Sequence, residues 1–146
     1  MKQSLTRFDE IADAFQSVDP SDRLEVLLDF SDRLPPLPEH LVRLRDEGLH
    51  LVHECQAPVF LYVTVNDDLV NVFGDVPREA PTARSFLSIL IDAFDRQPVG
   101  VVEGAPADPL RALGLDTLLG MQRTRGLSAI YQQLRARVAA LAITTQ

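Results

Sequence analysis

Residues 59–65 read Val-Phe-Leu-Tyr-Val-Thr-Val, and this stretch decides the fold. The run is dense in β-branched and aromatic residues, which favours a strand buried on both faces. Asn-Asp-Asp at residues 66–68 is a turn signal. Residues 69–73 are therefore predicted as the hairpin partner of this strand, and residues 49–53 as a strand that precedes both. The sequence predicts a small antiparallel sheet of three strands.

Helices are predicted on the N-terminal side of this sheet. Leu-Pro-Pro-Leu-Pro at residues 34–38 ends one of them, because proline lacks an N–H donor and disfavours the helical region for the residue before it. A short helix over about residues 39–46 follows, and Gly48 ends it. Two earlier helices have apolar faces at helical spacing, formed by Ile11, Ala14 and Phe15 and by Leu24, Leu27 and Leu28.

Helical spacing returns after the sheet, where Phe86, Leu90 and Phe94 are four residues apart and predict a helix that covers the sheet. Residues 97–107 contain two prolines and two glycines and are predicted as a loop. Asp-Pro at residues 108–109 begins a short helix that Gly114 ends. The last helix has an apolar stripe of Leu127, Ile130, Leu134, Val138 and Leu141, with Gln132, Arg135 and Arg137 on the opposite side. Helices packed on one antiparallel sheet make an α+β fold.

Length and charge restrict the classes of function. The chain has 146 residues, of which 21 are acidic and 14 are Lys or Arg, for a formal charge of −7. We expect a single domain over residues 1–146. The acidic balance argues against nucleic acid as a partner, since such binding depends largely on basic surface. Residues 1–13 lack the apolar run of a signal peptide, and no stretch approaches the ~18 apolar residues of a membrane span. We therefore expect a cytoplasmic protein that does not bind membranes.

Cys55 is the only cysteine, which excludes an intramolecular disulfide and a cysteine-rich metal site. Motifs for hydrolysis, phosphate binding or zinc proteolysis do not occur. Cys55 lies in Val-His-Glu-Cys-Gln-Ala-Pro, at residues 52–58, between two predicted strands. A lone cysteine is most often an inert, buried residue. Its polar neighbours Glu54 and Gln56 favour instead a thiol that is presented to another protein.

A presented thiol is nucleophilic only in its thiolate form, which nearby positive charge stabilises. His53, two residues away, is the nearest candidate, although a solvated residue at a strand end explains it somewhat better. Glu54 acts in the opposite direction, because an adjacent carboxylate disfavours a second negative charge. A zinc site of His50, His53 and Cys55 is disfavoured, because the two histidines of an extended strand would point to opposite faces. We expect no bound metal.

With this loop in place, the sequence resembles the SufE family of sulfur-acceptor proteins, over about residues 15–138. Cys55-Gln56 and the strand after it resemble the family's G-C-Q-S-x-V loop, and Arg123 matches the arginine of its S-R-x-N-G-L segment. Further segments resemble its L-P-x-L, A-D-S, R-G-L and L-G-L motifs, at Leu34-Pro35-Pro36-Leu37, Asp75, Arg84-Ser85-Phe86 and Leu113-Gly114-Leu115. The order and spacing of these segments are more specific than any one of them.

The resemblance implies a function in iron–sulfur cluster assembly. Cys55 would accept persulfide sulfur from a SufS-like cysteine desulfurase, stimulate that enzyme, and pass the sulfur to a SufB-like cluster scaffold. Arg123 would stabilise the thiolate or persulfide anion; a surface or capping role explains it equally well. The protein would be an accessory to the desulfurase rather than a stand-alone enzyme, and a monomer or weak homodimer. It would bind no cofactor, since the pyridoxal phosphate belongs to the desulfurase.

Two alternatives stay open on the sequence alone. The family glycine before the cysteine is Glu54 here, and the serine two residues after it is Ala57. These departures favour a protein-interaction module that keeps the fold without sulfur transfer. A thiol peroxidase or thiol–disulfide oxidoreductase is the least favoured, because a chain with one cysteine has no internal resolving thiol.

Overall fold

A three-stranded antiparallel sheet, predicted from the sequence, is present in the computed structural model, which describes residues 5–144. In spatial order its strands are β1 (Leu51–Val52), β2 (Val59–Asn66) and β3 (Leu69–Asp75). β2 and β3 form the predicted hairpin, with Val63 opposite Val72. Asp67 and Asp68 join them with φ angles of 54° and 66°. Two consecutive residues with positive φ give the tight turn whose twist matches that of a hairpin.

β1 is shorter than predicted. The sequence pattern indicated a strand over residues 49–53, but only Leu51 and Val52 pair with β2. His50 has a φ of 59°, which is outside the extended region, and residues 53–57 form turns and bends. The backbone is therefore not extended before Leu51 or after Val52, and the strand is limited to these two residues.

Helices pack against the sheet and against one another. The helix Pro81–Phe94 covers the sheet as predicted, and nine of its residues are buried. The last helix packs along β2. No helix within residues 5–144 is both long and apolar enough to cross a lipid bilayer. The helices are α1 (Arg7–Gln16), α2 (Arg23–Asp29), α3 (Glu39–Asp46), α4 (Pro81–Phe94), α5 (Val99–Glu103), α6 (Pro109–Ala112) and α7 (Met121–Thr144).

The predicted apolar face of α2 is wrong. Leu27 is fully buried, but Leu24 and Leu28 are 39% and 43% exposed. The buried stripe runs on from Leu27 to Phe30 and Leu34, which lie at spacings of three and four residues in the turn after the helix. The stripe that meets the core therefore continues beyond α2, and its neighbours at residues 24 and 28 face outward.

The prediction of a loop over residues 97–107 is also wrong, because α5 lies within it. Pro98 precedes the helix, and Val99 and Val102 are buried at a spacing of three residues. Five residues are too few to show a helical period against a background of glycine and proline, so this helix depends on its contacts with α7.

Arg137 differs from its prediction as well. The stripe Leu127, Ile130, Leu134 and Val138 of α7 is buried as expected. Arg137 was predicted on the polar side, but it is half-buried, and its guanidinium donates to the carbonyl oxygen of Leu61 in β2. A second, longer bond of 3.5 Å joins it to the carbonyl oxygen of His50. The arginine therefore ties α7 to β2 and to the residue just before β1.

The outer edge of β3 is covered by the segment that follows α4. The N–H of Val70 donates to the carbonyl oxygen of Gln97 at 2.8 Å, and the N–H of Arg96 donates to the carbonyl oxygen of Val70 at 2.6 Å. The N–H of Val72 donates to the Asp95 carboxylate at 2.9 Å. These bonds fix the C-terminal end of α4 to the sheet.

Candidate functional site

Cys55 lies in the loop between β1 and β2, as predicted, with its backbone N–H bonded to the carbonyl oxygen of Val52 at 3.4 Å. Its side chain is half-buried and packs against the edge of the core. The Sγ atom donates a hydrogen bond to the carbonyl oxygen of Gly126, in the second turn of α7, at 3.3 Å. The thiol is therefore turned toward α7 rather than projecting freely into solvent.

A cavity of about 390 Å³ opens beside this thiol. One wall is the cysteine loop at residues 55–57, the second is residues 79–83 at the start of α4, and the third is the first turns of α7. Leu127 and Ile130 are buried and form an apolar floor, whereas charged residues lie at the rim. The site is thus formed where three separate parts of the chain meet.

The surroundings of Cys55 favour its neutral form. Burial, which penalises the charged form, raises the pKa of the thiol from 9.0 to about 11, and the negative charge of Glu54 adds to this effect. A thiol with this pKa is almost entirely protonated at neutral pH. Nucleophilic chemistry therefore requires that the thiol be moved into solvent or brought close to a positive charge.

Arg123 is the cation that the cavity offers. It is exposed in the first turn of α7 and lines the cavity together with Cys55. Within residues 5–144 its guanidinium makes no ion pair and no side-chain hydrogen bond. The other rim charge, Glu79, comes from the wall formed by residues 79–83 and is equally unpaired in the described part of the chain. Arg123 is therefore free to bind an anion formed in the cavity.

The family follows from comparison with known proteins. A model described as the SufE Fe-S metabolism associated domain matches residues 9–138. The chain belongs to the SufE family. Two uncharacterized SufE-like proteins of Mycobacterium tuberculosis, from strains CDC 1551 / Oshkosh and ATCC 25618 / H37Rv, are each 38% identical over 130 residues, covering 88% of this chain and 89% of the relative.

A solved structure shows the same fold. The solution structure of a hypothetical protein from Thermus thermophilus is 29% identical, with a TM-score of 0.77 over 94% of this chain and 96% of that one. The resemblance predicted from the sequence and the α+β fold are confirmed. Membership of the SufE family associates the chain with iron–sulfur metabolism.

Among the described residues of this SufE-family chain, the thiol bonds Gly126 and makes no hydrogen bond with His53. His53 is exposed, does not line the cavity, and makes no ion pair or side-chain hydrogen bond within residues 5–144. Its suggested effect on Cys55 stays a prediction that no contact supports. The ring of His50 instead packs edge-on against Tyr62, with centroids 5.0 Å apart. No cluster of three metal-ligating side chains occurs among the described residues.

Two polar contacts made by α7 were missed by the sequence analysis of this SufE-family chain, one to the cysteine loop and one to the residue before β1. Gln133 donates from Nε2 to Oε1 of Glu54 at 3.5 Å, and Arg137 bonds the backbone next to β1. Both residues follow Gly126 on one face of α7. Their helical spacing is visible in the sequence, but the residues that they contact are more than seventy residues away, so only the folded chain shows the relationship.

Proposed function

We propose that this SufE-family protein accepts sulfane sulfur from a cysteine desulfurase onto Cys55 and delivers it for iron–sulfur cluster assembly. The observation that supports this most is the presence of Cys55 and the unpaired Arg123 in one open cavity. A nucleophile and an anion-binding cation are the two groups that persulfide transfer needs. The proposal places the reaction in the cytoplasm, where thiols stay reduced.

In the first step the Cys55 thiol loses its proton and the thiolate attacks the outer sulfur of the donor persulfide. The S–S bond of the donor breaks, and the inner sulfur of the donor persulfide leaves as a thiolate that takes up a proton. Cys55 gains one sulfur atom and becomes a persulfide, so sulfane sulfur is transferred without net oxidation. Arg123 would stabilise the anion before and after the transfer.

In the second step a thiolate of the cluster scaffold would attack the outer sulfur of the Cys55 persulfide. The S–S bond at Cys55 breaks, the outer sulfur stays on the scaffold, and Cys55 leaves as a thiolate that takes up a proton. Since Cys55 is the only cysteine, the chain has no second thiol that could attack the persulfide and release its sulfur. The sulfur therefore leaves by transfer to another molecule. Removal of the persulfide sulfur from the desulfurase in the first step would stimulate that enzyme, to which any pyridoxal phosphate belongs.

The test is incubation with a cysteine desulfurase and cysteine, followed by intact-mass spectrometry of this protein. We expect one added sulfur on the wild type and none on Cys55→Ala. Arg123→Gln should slow the appearance of the adduct, whereas Arg125→Gln, a matched exposed arginine outside the cavity, should not. The proposal is overturned if no adduct forms, or if Cys55→Ala stimulates the desulfurase as well as the wild type does.

The second candidate function is a protein-interaction module that has lost sulfur transfer. The observation that favours it is the protonated, half-buried Cys55 with the Glu54 carboxylate beside it. Such a module would bind its partner equally well with or without the thiol. Equal affinities of the wild type and Cys55→Ala for the desulfurase, together with no sulfur adduct, would decide for the module.

A further inference from the structure

The cavity beside Cys55 has a positive charge on one wall and a negative charge on another. Arg123 belongs to the first turn of α7, and Glu79 comes from the segment just before α4. Both residues are exposed. They form no ion pair with each other, and neither pairs with any other group in the part of the chain that the structure describes. The cavity therefore offers two opposite charges to an incoming molecule.

The cavity has the size and composition of a site for a small molecule. Its volume of about 390 Å³ lies near the lower end of the range of ~300–1,000 Å³ for ligand pockets. Leu127 and Ile130 form its apolar floor, and Thr82 and Gln122 add uncharged polar groups. An apolar lining with a few polar groups that fix orientation is typical of such pockets. A compact ligand with a short apolar part and two opposite charges fits this description.

The sulfur of Cys55 lies at the side of this cavity that α7 forms. The Sγ atom bonds the carbonyl oxygen of Gly126, and both residues line the cavity. A persulfide on Cys55 carries one further sulfur atom, which extends from this position. A molecule held between the two charged walls is therefore next to the sulfur that is to be transferred, and a thiol on that molecule can attack it.

We propose that the cavity binds a small zwitterionic aminothiol, such as free cysteine, and that the thiol of this ligand takes the sulfane sulfur from Cys55. Arg123 binds the carboxylate of the ligand, and Glu79 binds its ammonium group. This inference rests on the proposed function, which supplies the persulfide on Cys55. It adds a second class of sulfur recipient, a small molecule, beside the protein scaffold.

The transfer is a thiol–persulfide exchange. The thiol of the ligand loses its proton, and the thiolate attacks the outer sulfur of the Cys55 persulfide. The S–S bond at Cys55 breaks, the outer sulfur stays on the ligand as a persulfide, and Cys55 leaves as a thiolate that takes up a proton. Sulfane sulfur only changes its carrier, so the step consumes no oxidant and no reductant.

The charges around the site favour a zwitterion over an anion. The chain has a formal charge of −7, and the carboxylates of Glu54 and Glu79 lie beside the thiol and in the cavity wall. A thiol with a carboxylate and no ammonium group is repelled by this field. A thiol with an ammonium group alone leaves Arg123 without a partner. The zwitterion satisfies both charged walls at once.

The experiment starts from Cys55 persulfide that is made with sodium polysulfide at alkaline pH and freed of excess reagent, so it needs no desulfurase. Discharge by four thiols is then followed as the loss of one sulfur in the intact mass. Cysteine carries both charges, cysteamine only the ammonium group, 3-mercaptopropionate only the carboxylate, and 2-mercaptoethanol neither. Cysteine persulfide, the expected product with cysteine, is trapped with iodoacetamide. Each variant is compared with the wild type for the same thiol, so the intrinsic reactivity of that thiol cancels.

Substitution of each charged wall should affect the thiols selectively. Arg123→Gln should slow discharge by cysteine and 3-mercaptopropionate about twofold to fivefold more than discharge by cysteamine and 2-mercaptoethanol. Any loss of anion stabilisation at Cys55 slows all four thiols by one factor and cancels in this comparison. Glu79→Gln should slow discharge by cysteine and cysteamine by a similar extra factor. Circular dichroism verifies that the variants are folded.

Arg125→Gln and Glu25→Gln are the matched controls, because they remove the same charges outside the cavity. Arg125 is exposed two residues further along α7, and Glu25 is exposed on α2. Neither residue lines the cavity. Both control variants should keep the wild-type ratios between the four thiols. The inference is overturned if each cavity variant slows all four thiols by one factor, or if the controls show the same selectivity as the cavity variants.

Failure of this inference and failure of the proposed function give different results. If only the inference is wrong, the desulfurase still adds sulfur to Cys55, but no thiol depends selectively on Arg123 or Glu79. If only the proposed function is wrong, the desulfurase adds no sulfur, whereas the chemically loaded protein still discharges to the four thiols with the predicted selectivity.

Discussion

The Sγ atom of Cys55 lies 3.3 Å from the carbonyl oxygen of Gly126 and donates a hydrogen bond to it. A carbonyl oxygen can only accept, so this contact exists only while the thiol keeps its proton. The bond therefore favours the protonated form, in the same direction as burial of the side chain and the charge of Glu54.

The first prediction concerns the reactivity of the thiol. With the pKa of Cys55 at about 11, the alkylation rate of the free protein at neutral pH should be well below that of an unhindered thiol. The rate should rise about tenfold for each pH unit up to pH ~10, because the thiolate fraction rises in that proportion. Iodoacetamide rates across this range check the prediction, and a half-point at or below pH 9.0, the ordinary value, would contradict it.

The second prediction concerns stability at high pH. The folded-state pKa of Cys55 is raised from 9.0 to about 11, so on raising the pH the unfolded chain loses this proton first. The contribution of the thiol is fully present below pH 9.0 and is lost as the pH rises to about 11. Chemical unfolding over this interval should show a steeper decline for wild type than for Cys55→Ala. Parallel declines of the two proteins would show that the thiol is not shielded.

The third prediction concerns Gly74 in β3. A Cβ atom at this position would lie 2.5 Å from Cδ2 of Leu87 and 2.9 Å from the carbonyl oxygen of Phe60. Gly74→Ala therefore forces β3 away from α4 and should lower the free energy of unfolding by about 1–3 kcal/mol. Urea denaturation measures the loss.

The control for this substitution is Gly100→Ala in α5, where a Cβ would have nothing within 4 Å. Alanine is a better helix former than glycine, so this variant should be as stable as wild type or up to ~1 kcal/mol more stable. If both variants lose the same free energy, the close approach of Leu87 is not the cause at Gly74.

The fourth prediction concerns Arg84, whose side chain is only 11% exposed. Its Nε donates to the carbonyl oxygen of Ser31 at 2.9 Å and its Nη1 to the carbonyl oxygen of Val76 at 2.7 Å. Arg84→Met leaves both carbonyls unpaired and should lower the free energy of unfolding by about 2–4 kcal/mol. Arg84→Lys should recover only part of this, since one ammonium does not reproduce the planar fork of a guanidinium.

Arg78 is the comparison for Arg84. Its side chain is 72% exposed and pairs with Asp32 at 3.6 Å across the surface. Exposed ion pairs contribute little, so Arg78→Met should stay within about 0.5 kcal/mol of wild type in thermal or urea unfolding. A large loss at Arg78, or none at Arg84, would show that burial does not set the difference between them.

Local chemistry explains which parts of the fold were predictable. The apolar run of β2, the turn at Asp67 and Asp68, and α3 are determined by residues close in sequence, and all were found. The length of β1 and the position of Arg137 were not. His50 has a positive φ and packs its ring against Tyr62, and Arg137 donates to the carbonyl oxygen of Leu61. Both contacts are with β2, which is distant in sequence from the residue that makes them.

The candidate site, likewise, could be predicted only in part from the sequence. The position of Cys55 in a loop was readable from the strands around it, and the family resemblance pointed to Arg123, which the structure places in the same cavity. The hydrogen bond between the thiol and α7 could not be predicted, since its acceptor Gly126 is 71 residues away in sequence and contributes only a backbone carbonyl. The sequence identifies Cys55 as a reactive candidate, and the structure adds that the free protein holds this residue in a protonated state.

The covered edge of β3 has a consequence for how the protein behaves at high concentration. An open strand edge invites another chain to extend the sheet, which is a common route to aggregation. At Val70 and Val72 that row of donors is already occupied by Gln97 and Asp95. A second copy that meets this edge therefore finds these N–H groups already bonded and cannot add a strand at these positions. At this edge the protein's own chain protects the β2–β3 hairpin against pairing with a second copy. This protection does not depend on the cysteine loop, which joins β1 and β2.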